Sequence, residues 1–533
     1  MKNGCVRKRL SQYGGISSKL NHQMLGKVDM LILIALTAIF FSATPVITFD
    51  TIWYHSYLDI FSGLKSITQW DPTRGLPFPL LLYISTRLFG YTNQGITITM
   101  YLFYIAAIIL VRKIYFLLYP DTPTNRLFAW IILTALLFLN PVFWGYYHLV
   151  LTEFVAATLM ILVIYIILRT HKSFMEDTTG KAIVKSYVTR SITVLCLVPL
   201  AFFLKQMFFV CVILPFLISE LIILISHWSW KRVACLFSTT LATFVIIVSL
   251  NQAWDKTIDI ANARDILGRQ TSNELLLGNV FDGGISRYFK SETTKTDAGF
   301  IKQVSVYNNG QYLEQFTYMY DRPGIVNAAR FWMTCLTRYP RLVCKSYFEN
   351  YAIICNVYRF SDPRNWDNVD KNINFTSAAE NFYIGCMNKA NVMGTFVYNQ
   401  NYNDYLDVPS TNQYIQRTDT NTFLKFIYHN LYIKVANMIY SFVSFFSFAF
   451  ALFSLGFMLL KRHKFSLHSV NFFSSSIIFL YIVFLSLVGL PLDRYAFPIY
   501  VLCAFIFINV FSILCKGIMQ MIRKFRKVKT NLC

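Results

Sequence analysis

Long apolar runs alternate with short polar segments along most of the chain. An α-helix needs about 20 apolar residues to cross the hydrocarbon core of a bilayer, so each run predicts a transmembrane helix. The pattern therefore predicts an all-α polytopic membrane protein with about ten such helices. The predicted spans are 30–49, 94–118, 127–146, 148–168, 191–204, 207–227, 232–250, 432–460, 467–489 and 495–515. The span 191–204 is short for a crossing, and an earlier start is the alternative.

The spacing of these spans divides the chain into modules. A further apolar stretch, 76–89, is too short to cross comfortably and carries Pro77 and Pro79, which favours a re-entrant or surface helix. The long polar segment near the middle has room for a mixed domain outside the membrane. The predicted modules are a basic N-terminus (1–29), a transmembrane module (30–250) carrying the loop 50–93, an extracytoplasmic domain (251–431), a second transmembrane module (432–515) and a basic tail (516–533).

Composition supports the membrane prediction. Of the 533 residues, 55% are hydrophobic and 14% are charged, whereas soluble domains carry roughly 25% charged residues. A water-soluble globule has no way to bury this much apolar surface. A soluble enzyme, a disordered protein and a collagen-like chain are therefore excluded.

The net charge of +22 follows the membrane topology. Of the 49 Lys and Arg residues, 25 fall in alternate short segments at one side of the predicted spans. In these segments the only acids are Asp121, Glu176 and Asp177, and the segments are 1–28, 112–126, 169–190, 231–232, 461–464 and 516–533. Under the positive-inside rule these segments are cytoplasmic, as are both termini, and the loops 50–93 and 251–431 face outward. No compact basic domain is present, so nucleic acid is not an expected partner.

Common signature motifs are absent. No P-loop, GxGxxG, HExxH or EF-hand pattern occurs, which argues against ATP-driven transport by this chain alone. No CxxC pair suggests a zinc ribbon or a thioredoxin-like site. Four cysteines fall in the outer segment, and they allow three disulfide pairings if that compartment is oxidising: Cys335, Cys344, Cys355 and Cys386.

Two acids stand at the outer edge of predicted spans. Asp50 ends the first span and is placed to meet a substrate, although an N-cap of the following segment explains it equally well. Glu153 precedes some fifteen apolar residues. An ionisable group at that depth is costly and favours a functional role over a simple complement to the helix dipole.

Three bases share the same predicted side. Lys205 lies between two spans, where it either snorkels or pairs with Glu153 or a phosphate. Arg494 suits phosphate recognition, with pairing to Asp493 as the alternative. Arg74 lies in a corner rich in aromatic and proline residues, and the alternative to a binding role is an interfacial anchor.

In this order along the chain, these positions resemble the GT-C class of membrane glycosyltransferases, including the protein O-mannosyltransferase-like and aminoarabinose-transferase-like families. The resemblance is clearest over 30–250 and weaker over 430–515. Thr51 stands where the family often has a second acid. The residues that carry the likeness are Asp50-Thr51-Ile52-Trp53-Tyr54, Arg74-Gly75-Leu76-Pro77-Phe78-Pro79, Leu88-Phe89-Gly90, Leu151-Thr152-Glu153, Lys205 and Arg494-Tyr495.

The resemblance implies a GT-C-like fold in a bacterial inner membrane. It also implies inverting transfer of a sugar from a polyprenyl-phosphate donor to a glycan, lipid or protein acceptor on the extracytoplasmic face. Under this hypothesis Asp50 is the general base, and Glu153 orients the acceptor or Lys205, or binds a divalent cation. Lys205, Arg494 and Arg74 hold the donor phosphate, and Trp53, Tyr54 and Tyr495 contact the acceptor or the interface. The sequence identifies no metal or other cofactor.

Three other classes remain open. An oligosaccharide polymerase or ligase also has many spans and a large outer loop, and it would depend on external arginines more than on Asp50. A transporter or flippase would favour paired ionisable residues near the midplane and repeated halves. A structural subunit of an envelope assembly is the non-catalytic alternative.

Overall fold

The structure is a computed structural model. It describes, with a few internal gaps, mainly residues 27–41, 54–90, 93–118, 130–138, 143–176, 180–259, 333–355, 433–460, 467–488 and 493–511. All regular elements among these residues are helices. The predicted all-α architecture is confirmed for this part of the chain.

The helices are numbered in chain order. The first half contains α1 (27–38), α2 (Pro77–Phe89), α3 (Asn93–Leu118), α4 (130–138, ending in a π-turn), α5 (Glu153–Glu176), α6 (Gly180–Leu204), α7 (Phe208–Ser226) and α8 (Trp230–Thr257). The second half contains α9 (Pro340–Ile354), α10 (Ile433–Phe445), α11 (Ser447–Leu460), α12 (Leu467–Leu487) and α13 (500–511), which a 3₁₀ segment, Asp493–Ile499, precedes.

Six of the described helices are long and apolar enough to cross a membrane: Gly95–Leu118, Glu153–His171, Val184–Leu204, Phe208–Ile225, Trp230–Thr257 and Ser469–Leu487. The predicted span 432–460 is instead two helices, α10 and α11, that meet at a bend of 59°. The break falls at Phe446, whose amide still donates to the carbonyl of Phe442. The chain is therefore a polytopic membrane protein.

The spans at the centre of the bundle are α5 and α12. Over an 18-residue apolar stretch of each of these two spans 72% of the residues are buried, whereas only 11% are buried over such a stretch of α8. α5 packs against α3, α6 and α7 and against the 3₁₀ segment, while α12 packs against α7, α9 and α11. In a bilayer the apolar side chains that α8 exposes face lipid, because the hydrocarbon is as apolar as they are.

Successive spans run antiparallel, so the bundle has two distinct ends. The Lys205 end contains the start of α5, the α6–α7 connection and the last turn of α8. The Arg190 end contains the opposite termini of the same helices. At the Arg190 end, the guanidinium of Arg190 on α6 pairs with the carboxylate of Glu220 on α7 at 2.7 Å, with both side chains almost fully buried.

Helix boundaries differ from the prediction at the Arg190 end. The segment 169–190, predicted as a cytoplasmic loop, is mostly helical, since α5 continues to Glu176 and α6 begins at Gly180. The span predicted at 191–204 is short, and the helix does begin earlier, as the alternative start allowed. It includes Arg190 because that charge is neutralised by Glu220 inside the bundle. The segment 76–89 does form the short helix predicted for it, as α2.

Two of the four outer cysteines lie in described parts of the chain. Cys344 is exposed and Cys355 is buried, and both are free thiols. Burial raises the pKa of the Cys355 thiol to about 12, while hydrogen bonds with Ser444 and Tyr351 lower it. Cys335 and Cys386 lie outside the described residues.

This difference in exposure predicts selective labelling. In variants that retain one cysteine each, a membrane-impermeant maleimide at neutral pH is expected to modify Cys344 at least about 100-fold faster than Cys355, because the thiolate is the nucleophile. The rates are measured by a gel shift on intact cells. Labelling of Cys344 only after the cells are opened would contradict the prediction that 251–431 faces outward. Equal rates would contradict the burial of Cys355.

Candidate functional site

The corner between α1 and α2 is a packed structure rather than an exposed anchor. Trp70 is fully buried, and its ring stacks on that of Tyr57 with centroids 4.1 Å apart. Its indole N–H donates to the carbonyl oxygen of Arg74 at 2.9 Å. The rings of Trp254 on α8 and Trp70 meet edge to face with centroids 5.2 Å apart. The corner is therefore held from three directions.

Tyr57 lies between opposite charges in this corner. Burial raises the pKa of its hydroxyl above the usual range, the charge of Asp71 raises it further, and the charge of Arg74 opposes the shift. The phenol thus stays neutral at physiological pH. The guanidinium of Arg74 also lies over the ring of Tyr54, 5.5 Å from its centroid. Arg74 is therefore fixed by its backbone and by a ring contact, with its charge beside the corner.

Gly75 brings the corner against the end of α6. A Cβ atom at this position would lie 1.5 Å from the carbonyl oxygen of Phe203 and 3.4 Å from that of Leu204. Only glycine allows two backbones to approach so closely. The next residue after these two carbonyls is Lys205, so the contact places Arg74 and Lys205 on neighbouring backbones.

Lys205 is clamped by a residue almost 300 positions away. Its Nζ donates a hydrogen bond of 2.9 Å to the hydroxyl oxygen of Tyr495 and lies 4.2 Å from the centroid of the same ring. The backbone amide of Lys205 bonds to the carbonyl of Ala201, so the residue closes the last turn of α6. The side chain is half-buried. A positive charge is thereby held at the rim of the bundle.

Glu153 lies behind this pair as the first residue of α5. Its carboxylate accepts a hydrogen bond from the hydroxyl of Thr152 at 3.3 Å, and the residue is 1% exposed. The helix N-terminus favours a negative charge here. Tyr481 on α12 is close enough for its hydroxyl to interact with the Glu153 charge, and that hydroxyl donates to the carbonyl of Tyr495 at 3.0 Å.

Aromatic contacts connect Arg74 to the start of α5. The rings of Tyr54 and Phe78 meet edge to face with centroids 4.8 Å apart, and Phe78 meets Phe154 at 6.1 Å. Phe154 directly follows Glu153. Contacts thus run from Arg74 through these rings to the start of α5. From Glu153 they continue to Tyr481 on α12, to Tyr495 in the 3₁₀ segment and to Lys205. The backbone before Lys205 meets Gly75, which follows Arg74.

The structure therefore brings together five of the eight residues predicted from the sequence: Arg74, Tyr54, Glu153, Lys205 and Tyr495. The backbone of Arg494 lies beside Tyr495 at the start of the 3₁₀ segment, and its side chain lies outside the described residues. Asp50 and Trp53 also lie outside them. Sequence reasoning missed Tyr481 and the role of Gly75, although the proline-rich stretch after Gly75 already indicated a tight corner.

The chemistry of this cluster suits an anion. Arg74 and Lys205 lie on neighbouring backbones, and the Lys205 ammonium is held by a phenol hydroxyl. Guanidinium and ammonium groups are the ordinary partners of phosphate. Within the described residues, no group of three His, Cys, Asp or Glu side chains is arranged to hold a metal ion. The fold and this site define a helical polytopic membrane protein with a basic and aromatic cluster at one end of its bundle.

Comparison with known proteins adds little to this description. No protein-family model and no curated protein matches the chain. Among solved structures, ArnT from Cupriavidus metallidurans bound to undecaprenyl phosphate is 14% identical with a TM-score of 0.35, over 88% of this chain and 77% of that one. Its apo state is also 14% identical, with a TM-score of 0.34 over 88% of this chain and 78% of that one. Both TM-scores are too low for the likeness to carry an argument.

Proposed function

We propose that the chain is a GT-C-type membrane glycosyltransferase that uses a sugar linked to polyprenyl phosphate. The observation that carries the proposal is the hydrogen bond between Lys205 and Tyr495, with Arg74 on the neighbouring backbone. Residues from three distant parts of the chain converge there. A fixed cation at the end of apolar spans suits a phosphate whose hydrocarbon tail lies in the bilayer.

The Lys205 end faces away from the cytoplasm in this proposal. The opposite end contains several bases that the positive-inside rule places in the cytoplasm, among them Arg112, Arg169, Lys185, Lys231 and Arg232. Nucleotide sugars are made in the cytoplasm, so a site on the other face needs a donor that has already crossed the membrane. A polyprenyl-phosphate sugar meets this requirement.

The chemical step is an inverting displacement. Asp50 takes the proton of an acceptor hydroxyl, and the acceptor oxygen forms a bond to the anomeric carbon. The bond between that carbon and the phosphate oxygen breaks from the opposite face, and the electron pair leaves with the polyprenyl phosphate. Lys205, Arg494 and Arg74 stabilise the negative charge that develops on the phosphate. Glu153, buried at the start of α5, orients the acceptor or Lys205, or binds a divalent cation.

The test is an envelope-glycan mass profile of matched bacterial strains. The gene is deleted and then restored as wild type, Asp50→Asn, Lys205→Met or Lys185→Met, with equal membrane levels. We expect the deletion to lose a sugar-sized mass, and Asp50→Asn and Lys205→Met to restore it at least about 100-fold less well than wild type, because each removes a group that acts on transition-state charge. Lys185 is exposed at the opposite end, so Lys185→Met is the matched control.

Other outcomes select the alternatives. Full restoration by both Asp50→Asn and Lys205→Met would overturn the proposal. A profile in which chain length changes rather than the mass of one sugar would favour an oligosaccharide polymerase or ligase.

The transporter alternative has one observation in its favour, the buried pair of Arg190 and Glu220 inside the bundle. This pair lies at the Arg190 end, close to His171, which is about 27 Å along α5 from Glu153 at 1.5 Å per residue. A structural role explains it fully, since each charge neutralises the other. Intact glycans together with accumulated lipid-linked precursors in the deletion strain would favour the transporter.

A further inference from the structure

Tyr481 is a buried tyrosine that the chemical step above does not use. It has no solvent exposure, and its hydroxyl donates to the carbonyl oxygen of Tyr495 at 3.0 Å. The thiol of Cys211 and the carboxylate of Glu153 also lie close enough to interact with that hydroxyl. A buried hydroxyl costs free energy unless it is hydrogen-bonded, and phenylalanine would fill nearly the same volume without one. The value of tyrosine here therefore lies in its polar contacts.

The carbonyl that Tyr481 satisfies lacks its ordinary donor. Tyr495 lies in a 3₁₀ segment, Asp493–Ile499, where a carbonyl accepts from the N–H three residues later. That residue is Pro498, which has no N–H. Buried carbonyls in native proteins are almost always paired. The hydroxyl of Tyr481 donates to this carbonyl from another helix and so holds the backbone at Tyr495.

We infer that Tyr481 is a positioning residue for Lys205 and acts through Tyr495. Tyr495 is held at its carbonyl by Tyr481, and its hydroxyl accepts the hydrogen bond from Lys205 at 2.9 Å. Without the first contact the 3₁₀ segment is freer to move, and the ammonium of Lys205 loses its fixed acceptor. A cation held in place stabilises leaving-group charge better than a mobile one. This inference rests on the proposed function.

The chain offers a closely matched control for removing the hydroxyl. Tyr104 on α3 is also fully buried, and its hydroxyl also donates to a backbone carbonyl at 3.0 Å, that of Phe138. Tyr104 has no place in the candidate site. Tyr481→Phe and Tyr104→Phe therefore remove the same atom from equally buried hydrogen bonds to backbone carbonyls. The carbonyl belongs to the candidate site in the first case and lies outside it in the second; the neighbours of the two hydroxyls also differ, since Cys211 and Glu153 lie near that of Tyr481.

Three measurements on the full chain test the inference. Amide hydrogen exchange over 493–499 is expected to rise about 10-fold in Tyr481→Phe, because the opening of that segment is eased. The rate of sugar transfer in the complemented strain is expected to fall between about 10-fold and 100-fold, while the Kd for polyprenyl phosphate in nanodiscs changes less than about threefold. Tyr104→Phe is expected to leave all three at wild-type values.

The outcomes separate this inference from the proposed function. Unchanged exchange over 493–499 in Tyr481→Phe overturns the inference whether or not the protein transfers sugar. Equal losses of transfer in Tyr481→Phe and Tyr104→Phe also overturn it, because they indicate a general loss of stability. If the wild-type strain shows no transfer, the proposed function is overturned. If exchange is then still faster in Tyr481→Phe and not in Tyr104→Phe, the conclusion that Tyr481 positions the segment 493–499 stands.

Discussion

Gly75→Ala is expected to abolish transfer and to reduce the amount of folded protein in the membrane. The added methyl carbon would lie 1.5 Å from the carbonyl oxygen of Phe203. Because that oxygen belongs to the backbone, no rotation of a side chain can relieve the clash. Overpacking of a buried site costs about 1–3 kcal/mol and sometimes more, and a contact this short belongs at the upper end. The corner or the end of α6 must shift, and either movement separates Arg74 from Lys205.

The measurement compares thermal unfolding in detergent with transfer by the folded fraction. Gly456→Ala on α11 is the control, since a Cβ there meets nothing within 4 Å. We expect Gly456→Ala to match or exceed the wild type in stability, because alanine favours a helix over glycine by about 1 kcal/mol. Wild-type stability and transfer in Gly75→Ala would show that the corner is not packed against α6.

The spans were predictable because their apolar runs are long. α3, α7 and α12 begin and end within a few residues of their predicted limits, since hydropathy alone determines which segments enter a bilayer. The α10–α11 break was not predictable. No proline or glycine marks it, so the 59° bend depends on packing between helices that one sequence does not reveal.

The candidate site was predictable by residue type but not by geometry. Lys205 was identified from its position between spans and Tyr495 from the resemblance to the GT-C class. Nothing in the sequence pairs two residues so far apart in the chain. Tyr481 escaped notice because a tyrosine within an apolar span reads as an ordinary core residue. Its hydrogen bond to the carbonyl of Tyr495 becomes recognisable as important only when the structure places Pro498, which has no N–H, in the 3₁₀ segment.

Removal of Arg190 alone is expected to destabilise the protein strongly. In Arg190→Met the carboxylate of Glu220 loses a partner at 2.7 Å, and the two side chains are only 3% and 2% exposed. Breaking a buried ion pair from one side costs about 3–5 kcal/mol, because the remaining charge is left without its partner. Arg232 is near enough to interact with Glu220, but it is only partly buried and does not replace the lost contact.

Replacement of both partners is expected to recover most of this loss. The double variant Arg190→Met, Glu220→Met removes the lone charge and fills a similar volume with apolar atoms, and such exchanges are often neutral or stabilising. Arg169→Met is the control, because Arg169 is exposed on α5 at the same end of the bundle. Unfolding midpoints in detergent distinguish the single, double and control variants.

The same series tests what the pair does. If the pair is structural, the double variant is expected to retain the glycan profile of the wild type, because the Lys205 end, which the proposed chemistry uses, is untouched. A double variant that is stable but no longer gives the wild-type glycan profile would show that the pair has a functional role, and it would favour the transporter alternative. A double variant less stable than Arg190→Met would contradict the account of the pair as two charges that neutralise each other.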